Sequence, residues 1–208
     1  MIIDMPLTNT SQINKRLVES RNEAGVITQG RVMTLVIDAT GADMERAIET
    51  ANEASREHPC RVIVVAPDEC GSDCLNAQIR VGADAGAGEV VVLRPSGDQI
   101  PHGDTLVTPL LLPDAPVVVW WPGDVPDEST RERLGFWAAR RITDTKGDEN
   151  PDGALKELAE SYKPGDTDLV WTRTTRWRAL LASALDQVAD QTVSRAHLVG
   201  DVGSPSIL

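Results

Sequence analysis

The sequence is poor in several residue types that particular functions require. Aromatic residues make up 3% of its 208 residues, and it has three cysteines and three histidines. Three cysteines in a chain of this length do not form a disulfide framework. Basic residues are also scarce, with 20 Lys and Arg against 32 Asp and Glu and a formal net charge of −12. Binding to nucleic acid or to an anionic membrane needs the opposite balance, so we expect neither as a partner.

Long apolar runs are missing as well. A membrane-spanning helix needs about 20 consecutive apolar residues, and prolines interrupt the most apolar stretch, residues 106–121. The first ten residues have neither the basic flank nor the apolar run of a secretory signal. We therefore expect a soluble cytoplasmic protein. Residues 194–208 begin an apolar segment without completing an element, which leads us to expect a truncated piece of a longer chain.

The first half of the chain alternates strands and helices. Residues 31–40 and 60–67 are rich in β-branched residues, and residues 43–57 between them repeat apolar side chains at helical spacing, with Asp43 as the expected N-cap. This order is typical of a βαβ unit with parallel strands. We predict an α/β fold, a three-layer sandwich around a mainly parallel sheet. Residues 75–81 alternate polar and apolar side chains, which favours an antiparallel edge strand for them.

The second half predicts more helices and one more strand. A helix is expected over residues 127–140, and Asn150-Pro151 combines a cap with a proline at the first helical position. Residues 168–172 are predicted to form a strand, and residues 177–188 carry an amphipathic helical stripe. We predict three regions: a helical segment at 1–24, an α/β domain at 25–163, and, at 164–208, the first part of an incomplete C-terminal domain.

The sequence contains no motif for catalysis or cofactor binding. The glycine cluster at 82–88 leads into a strand, whereas the dinucleotide fingerprint opens a helix, so a flexible connection is favoured. Cys70 and Cys74 are a loose pair without zinc-site spacing, and Cys60 is expected in the core. We predict no cofactor, no metal and no enzymatic activity. A redox switch formed by Cys70 and Cys74 is a weaker hypothesis.

The five tryptophans all lie between residues 120 and 177. Trp is enriched among the anchors of protein interfaces, because one rigid side chain buries a large area. For Trp121, core packing and a partner interface are equally favoured. Core positions are predicted for the other tryptophans considered, namely Trp120, Trp137 and Trp177.

Arginines accompany these tryptophans, at Arg140-Arg141 and in the segment 173–178. They are suited to bind a phosphate or the carboxylate of a partner. Pairing within the chain, with Asp144, Asp166 and Asp168, is the somewhat favoured alternative. The predicted partner interface consists of Trp121, Pro122, Arg140, Arg141, Arg173 and Arg176.

Several motifs in these segments resemble one known family. WWPG, RRITD, PGDTDLVWTR and the WR-x-x-LA pattern are similar to the OpcA family, the glucose-6-phosphate dehydrogenase assembly proteins. Earlier stretches agree, among them GRVMTLVID, GEVVVLR and VTPLLLPDAPVVVWWPG, so that the resemblance covers Gly25 to Asp186.

The resemblance implies a non-catalytic partner that assembles or allosterically activates glucose-6-phosphate dehydrogenase, which feeds NADPH production in the oxidative pentose phosphate pathway. It implies no catalytic residues. The alternative is an α/β protein that binds or acts on a sugar phosphate or nucleotide. Its site would lie beyond the carboxyl ends of the parallel strands, near Trp121 and Arg140 or Arg141.

Overall fold

The computed structural model describes residues 1–24, 30–39, 41–68, 73–82, 89–123 and 125–186. Its strands are β1 (Ile2–Met5), β2 (Met33–Asp38), β3 (Cys60–Val65), β4 (Leu75–Val81), β5 (Glu89–Pro95), β6 (Val117–Trp120), β7 (Arg140–Thr143) and β8 (Asp166–Asp168). Its helices are α1 (Thr10–Ala24), α2 (Gly41–Ala54), α3 (Gly103–Val107), α4 (Glu128–Gly135), α5 (Pro151–Glu160), α6 (Leu169–Arg173) and α7 (Thr175–Leu185).

The eight strands form one sheet in the order β1-β4-β5-β3-β2-β6-β7-β8. Six strands, from β5 to β8 across the sheet, pair in parallel. β4 runs antiparallel to β5, and β1 runs antiparallel to β4. The predicted α/β fold with a mainly parallel sheet is therefore confirmed.

Helices cover the sheet on both faces, which makes the three layers. On the first face, Ile13 and Leu17 of α1, Val107 of α3 and Leu134 of α4 join one core cluster. On the second face, α2 packs apolar side chains such as Met44 and Ile48 into another cluster. Across the sheet, the connection from β2 to β3 runs towards one edge, and the connections from β6 through β7 to β8 run towards the other edge. Right-handed crossovers therefore place α2 on the face opposite α4.

The central strands match their sequence patterns. All six residues of β3 are buried, as its continuous apolar run predicts for a strand covered on both faces. β4 alternates buried and half-buried residues and is antiparallel as predicted. It is not the edge strand, however, because β1 pairs along its outer side. Residues 2–5 are too few for their pattern to have indicated a strand.

Several predicted helix boundaries differ in the structure. α2 begins at Gly41, so Asp43 lies inside the first turn and is not the N-cap; its carboxylate pairs with Arg46 at 2.8 Å instead. α4 is shorter than the predicted 127–140, because Asp127 caps it and it ends at Gly135. The Asn150 cap before Pro151 is confirmed, since its side chain accepts the backbone N–H of Gly153.

The predicted strand at 168–172 is wrong. The strand β8 ends at Asp168, where the side chain of this residue accepts the backbone N–H of Val170 and caps the helix α6. An N-cap overrides the β-rich composition of the residues that follow it.

Candidate partner interface

A cavity of about 350 Å³ lies along β7 and β8 and reaches Trp121, the residue that follows β6. The helices α4 and α5 and the start of α6 form its other walls. Most of the exposed surface of its lining is apolar, although seven charged residues also line it. The apolar part includes Trp121, Leu155, Leu158, Ala159 and Trp171, and the charged part consists of Glu128, Arg131, Glu132, Arg141, Lys163, Asp166 and Asp168.

Trp121 forms the inner wall of this cavity. Its side chain is 2% exposed and belongs to the core cluster of the first face. Trp120 points to the opposite face, as the alternation of a strand requires, and packs partly buried against the second cluster. Trp121 is thus a core residue with one edge in the cavity. Trp137, the third tryptophan predicted in the core, is partly buried against the first cluster.

The strand order reverses between β2 and β6, and this is where α/β sheets often bind small molecules. Asp38, at the end of β2, lies there beside Trp121. Burial raises the pKa of its carboxyl group, and the neighbouring Trp121 indole opposes that rise. The buried indole N–H does not reach hydrogen-bond geometry with any described group. One carboxyl group beside an indole contains neither a nucleophile nor an oxyanion donor set.

The cations that line the cavity are paired with carboxylates. Nε of Arg141 lies 2.6 Å from a carboxylate oxygen of Asp166. Arg131 pairs with Glu157 at 3.1 Å, and Lys163 pairs with Glu132. The prediction of pairing within the chain is confirmed for Arg141. Since each of these cations is already compensated, the described lining of the cavity does not offer a free positive charge to a phosphate.

Asp168 organises the end of the cavity nearest α6. Its carboxylate accepts hydrogen bonds from the Thr143 hydroxyl, from the N–H and hydroxyl of Thr145, and from the N–H of Val170, at 2.8 to 3.1 Å. It is 9% exposed. A carboxylate with four donors is held in one orientation and joins β7, β8 and α6. Its role is therefore structural.

Trp171 connects the cavity to the last described helix. It lines the cavity and is 58% exposed. The guanidinium group of Arg178, on α7, stacks over its ring at 3.7 Å from the centroid. No residue of α7 is buried. We call the exposed apolar side chains of this region the α6–α7 surface; they are Tyr162, Trp171, Trp177, Leu180, Leu181 and Leu185.

The predicted core position of Trp177 is wrong, because this residue is 49% exposed. It shares one face of α7 with Leu180 and Leu181, as the amphipathic pattern predicted. No described element covers that face, and a sequence pattern does not indicate whether a stripe meets its own core or another surface. Val188, the last residue of the predicted stripe, lies outside the described residues.

The structure separates the six residues of the predicted interface. Trp121 and Arg141 line the cavity, and Pro122 is half-buried directly after Trp121. Arg140 follows the alternation onto the other face of the sheet and donates to the Thr167 hydroxyl.

Two arginines of the predicted interface lie near α7. Arg173 forms a two-point pair with Asp144 at 2.6 and 2.7 Å, so the alternative of internal pairing is confirmed for it. Arg176 is exposed on α7. The predicted interface did not include Trp171 or Tyr162. The concentration of tryptophan in this half of the chain was a signal that could have indicated Trp171.

Other chemistry is not evident in the described residues. No group of three or more His, Cys, Asp and Glu side chains in them converges on a metal position. None of the described helices combines the length and apolar character that crossing a membrane demands. Cys60 is buried as predicted, and burial raises the pKa of its thiol to about 11. Cys70 and residues 83–88 of the glycine cluster lie outside the described residues.

Comparison with known proteins identifies the family. Residues 51–160 match the glucose-6-phosphate dehydrogenase subunit N-terminal domain, and residues 164–208 match the C-terminal domain of the same subunit. The chain is 27% identical over 168 residues to the OxPP cycle protein OpcA of Synechocystis sp., covering 76% of this chain and 34% of the relative. The OpcA of Synechococcus elongatus is 25% identical over 158 residues, covering 71% and 35%.

The chain thus spans about a third of the length of these curated relatives. No solved structure matches it significantly. The family profile of the N-terminal domain covers more than half of the sequence and includes the strands β3 to β7. The chain belongs to the OpcA family, whose domains are those of the glucose-6-phosphate dehydrogenase subunit.

Proposed function

We propose that this chain is a non-catalytic partner of glucose-6-phosphate dehydrogenase and that it binds the enzyme through the α6–α7 surface. The observation that carries the proposal is the uncovered apolar face of α7, next to an apolar cavity, in a chain whose two domains are described as parts of a dehydrogenase subunit. Exposed apolar patches of this kind mark interaction sites in water-soluble proteins.

The charges around the cavity support docking over catalysis. Arg131, Arg141 and Lys163 are each compensated by a carboxylate, and Asp168 is occupied by four donors. Catalysis of acyl or phosphoryl transfer would need a free nucleophile, a base or an uncompensated cation at such a position. Apolar walls with a paired polar rim are instead typical of the core and rim of a protein interface.

Two side chains of the surface have the properties of binding anchors. Trp171 and Trp177 are large, rigid and about half exposed. Stacking of Arg178 limits the motion of Trp171 before binding, which reduces the entropy lost on association. We expect these two residues to contribute more to the affinity than the leucines around them.

Binding to the dehydrogenase is enough to activate that enzyme, and it requires no catalytic group in this chain. A partner that binds the active form of the dehydrogenase more tightly than the inactive form shifts the equilibrium towards the active form. The increase in activity is limited by the ratio of the two affinities. The chain therefore acts as an assembly factor and allosteric activator in the oxidative pentose phosphate pathway.

The first test is binding and activation by the purified chain. The 208-residue protein is mixed with glucose-6-phosphate dehydrogenase from the same organism, and co-elution, the dissociation constant and the turnover are measured. We expect a complex and a higher turnover at saturating chain. If the chain neither co-elutes with the enzyme nor changes its turnover, the proposal is wrong.

A matched pair of variants tests the surface. Leu180→Asp places a charge on the exposed face of α7, where it would be desolvated in the complex, and we expect at least tenfold weaker binding to the dehydrogenase. Leu7→Asp is the control, because Leu7 is also exposed but follows β1 at the opposite edge of the sheet. Unchanged affinity in Leu180→Asp, or equal losses in both variants, would contradict binding through the α6–α7 surface.

A further inference from the structure

Three arginines converge on one carboxylate at the other end of the sheet. Nε and a terminal nitrogen of Arg21 donate to the two oxygens of Glu89, each at 2.7 Å. Arg31 donates to the same carboxylate at 2.9 Å, and Arg61 forms a third ion pair with it. We call these four residues the arginine cluster.

The arginine cluster lies at the amino ends of the parallel strands. Glu89 is the first residue of β5, Arg61 is the second of β3, and Arg31 comes two residues before β2. Arg21 belongs to the last turn of α1. The cavity lies along β7 and β8 near the other edge of the sheet, and α6 begins directly after β8. The cluster, at the amino ends of β2, β3 and β5, is therefore a separate place in the molecule.

The charges in this cluster do not balance. Three guanidinium groups face one carboxylate, which leaves two positive charges uncompensated by any described residue. Glu89 is fully buried, and the exposed fractions of the side chains are 7% for Arg61, 12% for Arg31 and 22% for Arg21. Water therefore screens these charges poorly. In a chain with a net charge of −12, such a local excess of positive charge stands out.

The pKa directions agree with an excess of positive charge. Burial lowers the pKa of Arg31, Glu89 raises it, and the charges of Arg21 and Arg61 lower it further. Burial and the charge of Arg21 also lower the pKa of Arg61, against the effect of Glu89. Burial opposes ionisation of Glu89, yet the hydrogen bonds and charges of the arginines bring its pKa below the usual value. The carboxylate is ionised and the arginines still repel one another.

The donors of the cluster are not all used. Arg31 makes one hydrogen bond to Glu89 through one terminal nitrogen, and its Nε and other terminal nitrogen have no partner in the described part of the chain. Arg21 likewise has one terminal nitrogen without a described partner. These two side chains are the more exposed ones, so their spare N–H groups are the ones that solvent can reach.

We propose that the arginine cluster binds a phosphoryl dianion, held by the spare donors of Arg21 and Arg31 against the fixed pair of Glu89 and Arg61. A dianion would neutralise the two excess charges, and its oxygens match the planar donor fork of arginine. The dianion is either free phosphate or the phosphoryl group of a small phosphate ester. This site is independent of the proposed docking to the dehydrogenase.

Calorimetric titration with sodium phosphate and with glucose 6-phosphate, at constant ionic strength set with chloride, tests the site. We expect saturable binding of one equivalent with both probes. If the two probes bind with equal affinity, free phosphate is a sufficient ligand. If glucose 6-phosphate binds ten times more tightly than phosphate, the ligand is a phosphate ester. Both results support a phosphoryl site. Glucose without its phosphate is expected not to bind. If neither phosphate nor glucose 6-phosphate shows saturable binding, the proposal is overturned.

Variants locate the binding. Arg31→Gln removes one donor fork and keeps the two-point pair of Arg21 with Glu89, so we expect at least tenfold weaker phosphate binding, or about 1.4 kcal/mol. Arg46→Gln is the control, because Arg46 is exposed and pairs with Asp43 on α2. Arg21→Gln provides a second variant if Arg31→Gln fails to fold. Unchanged phosphate affinity in the cluster variants, or equal weakening in the control, overturns the assignment.

Discussion

At the scale of single residues, one carboxylate holds together the elements that carry the α6–α7 surface. Asp168 accepts four hydrogen bonds from β7, from the turn after it, and from the start of α6. Its removal would leave two hydroxyl groups and two backbone N–H groups without their acceptor in a buried place. The same residue type serves as N-cap of α4 at Asp127, but there the side chain is exposed.

We expect Asp168→Ala to lower the free energy of unfolding by roughly 2–4 kcal/mol, since each buried donor loses its partner. Urea denaturation followed by the fluorescence of the five tryptophans measures this change. Asp127→Ala is the matched control, and a clearly smaller loss is expected because water replaces an exposed cap. Equal losses in the two variants would contradict a special role for Asp168.

The arginines show what residue types alone do not decide. The positions of Arg140, Arg141, Arg173 and Arg176 all suggested a binding surface. Two of them are held by Asp166 and Asp144, and Arg140 lies on the opposite face of the sheet. The cluster with the larger charge excess involves Arg21, Arg31 and Arg61, which lie on three different elements or connections and are all far from Glu89 in sequence. Sequence separation conceals such convergence.

At the scale of elements, the turn between α5 and β8 depends on one glycine. Gly165 has φ of +101°, a conformation that side chains with a Cβ rarely adopt. A Cβ at this position would also lie 2.7 Å from the carbonyl oxygen of Ala139, beside the start of β7. The backbone N–H of Arg141 donates to the carbonyl of Gly165, so the turn aligns β8 with β7.

Gly165→Ala should therefore destabilise the protein by at least about 1–2 kcal/mol, through backbone strain and the contact with Ala139. Thermal unfolding of the variant measures the effect. Gly147→Ala is the control, because a Cβ there would have no neighbour closer than 3.8 Å and φ is not in the left-handed region. If Gly165→Ala unfolds at the temperature of the wild type, the turn does not constrain the backbone at this glycine.

Elements with strong local signals were predicted, and those decided by neighbours were not. The continuous apolar run of β3 and the Asn150-Pro151 start of α5 both have the structure their patterns indicate. β1 was missed, because its four residues become a strand only by pairing with β4. Residues 169–172 have the composition of a strand but follow a capping carboxylate, so they form a helix.

At the scale of the whole molecule, the sheet separates two candidate binding places. The α6–α7 surface follows β8 at one edge of the sheet, and the arginine cluster lies at the amino ends of β2, β3 and β5. No residue is shared between them. Sites without shared partners are expected to contribute independently to binding.

We expect Leu180→Asp to leave the affinity for phosphate within twofold of the wild type, and Arg31→Gln to leave the affinity for the dehydrogenase within twofold. The double variant should show both losses with no further change. Calorimetry with each ligand measures the four dissociation constants of a double-mutant cycle. A coupling larger than about 1 kcal/mol would mean that the two ends communicate through the sheet.

Local patterns in the sequence by themselves determined the α/β class, the parallel centre of the sheet and the family. Apolar periodicity and turn residues act over a few positions, and the family motifs are contiguous, so both can be read without a structure. Only the tertiary structure decided which charges are compensated, which face of α7 stays open and where three arginines meet. Those properties depend on distances between residues that the chain keeps far apart until the strands pair and the helices pack.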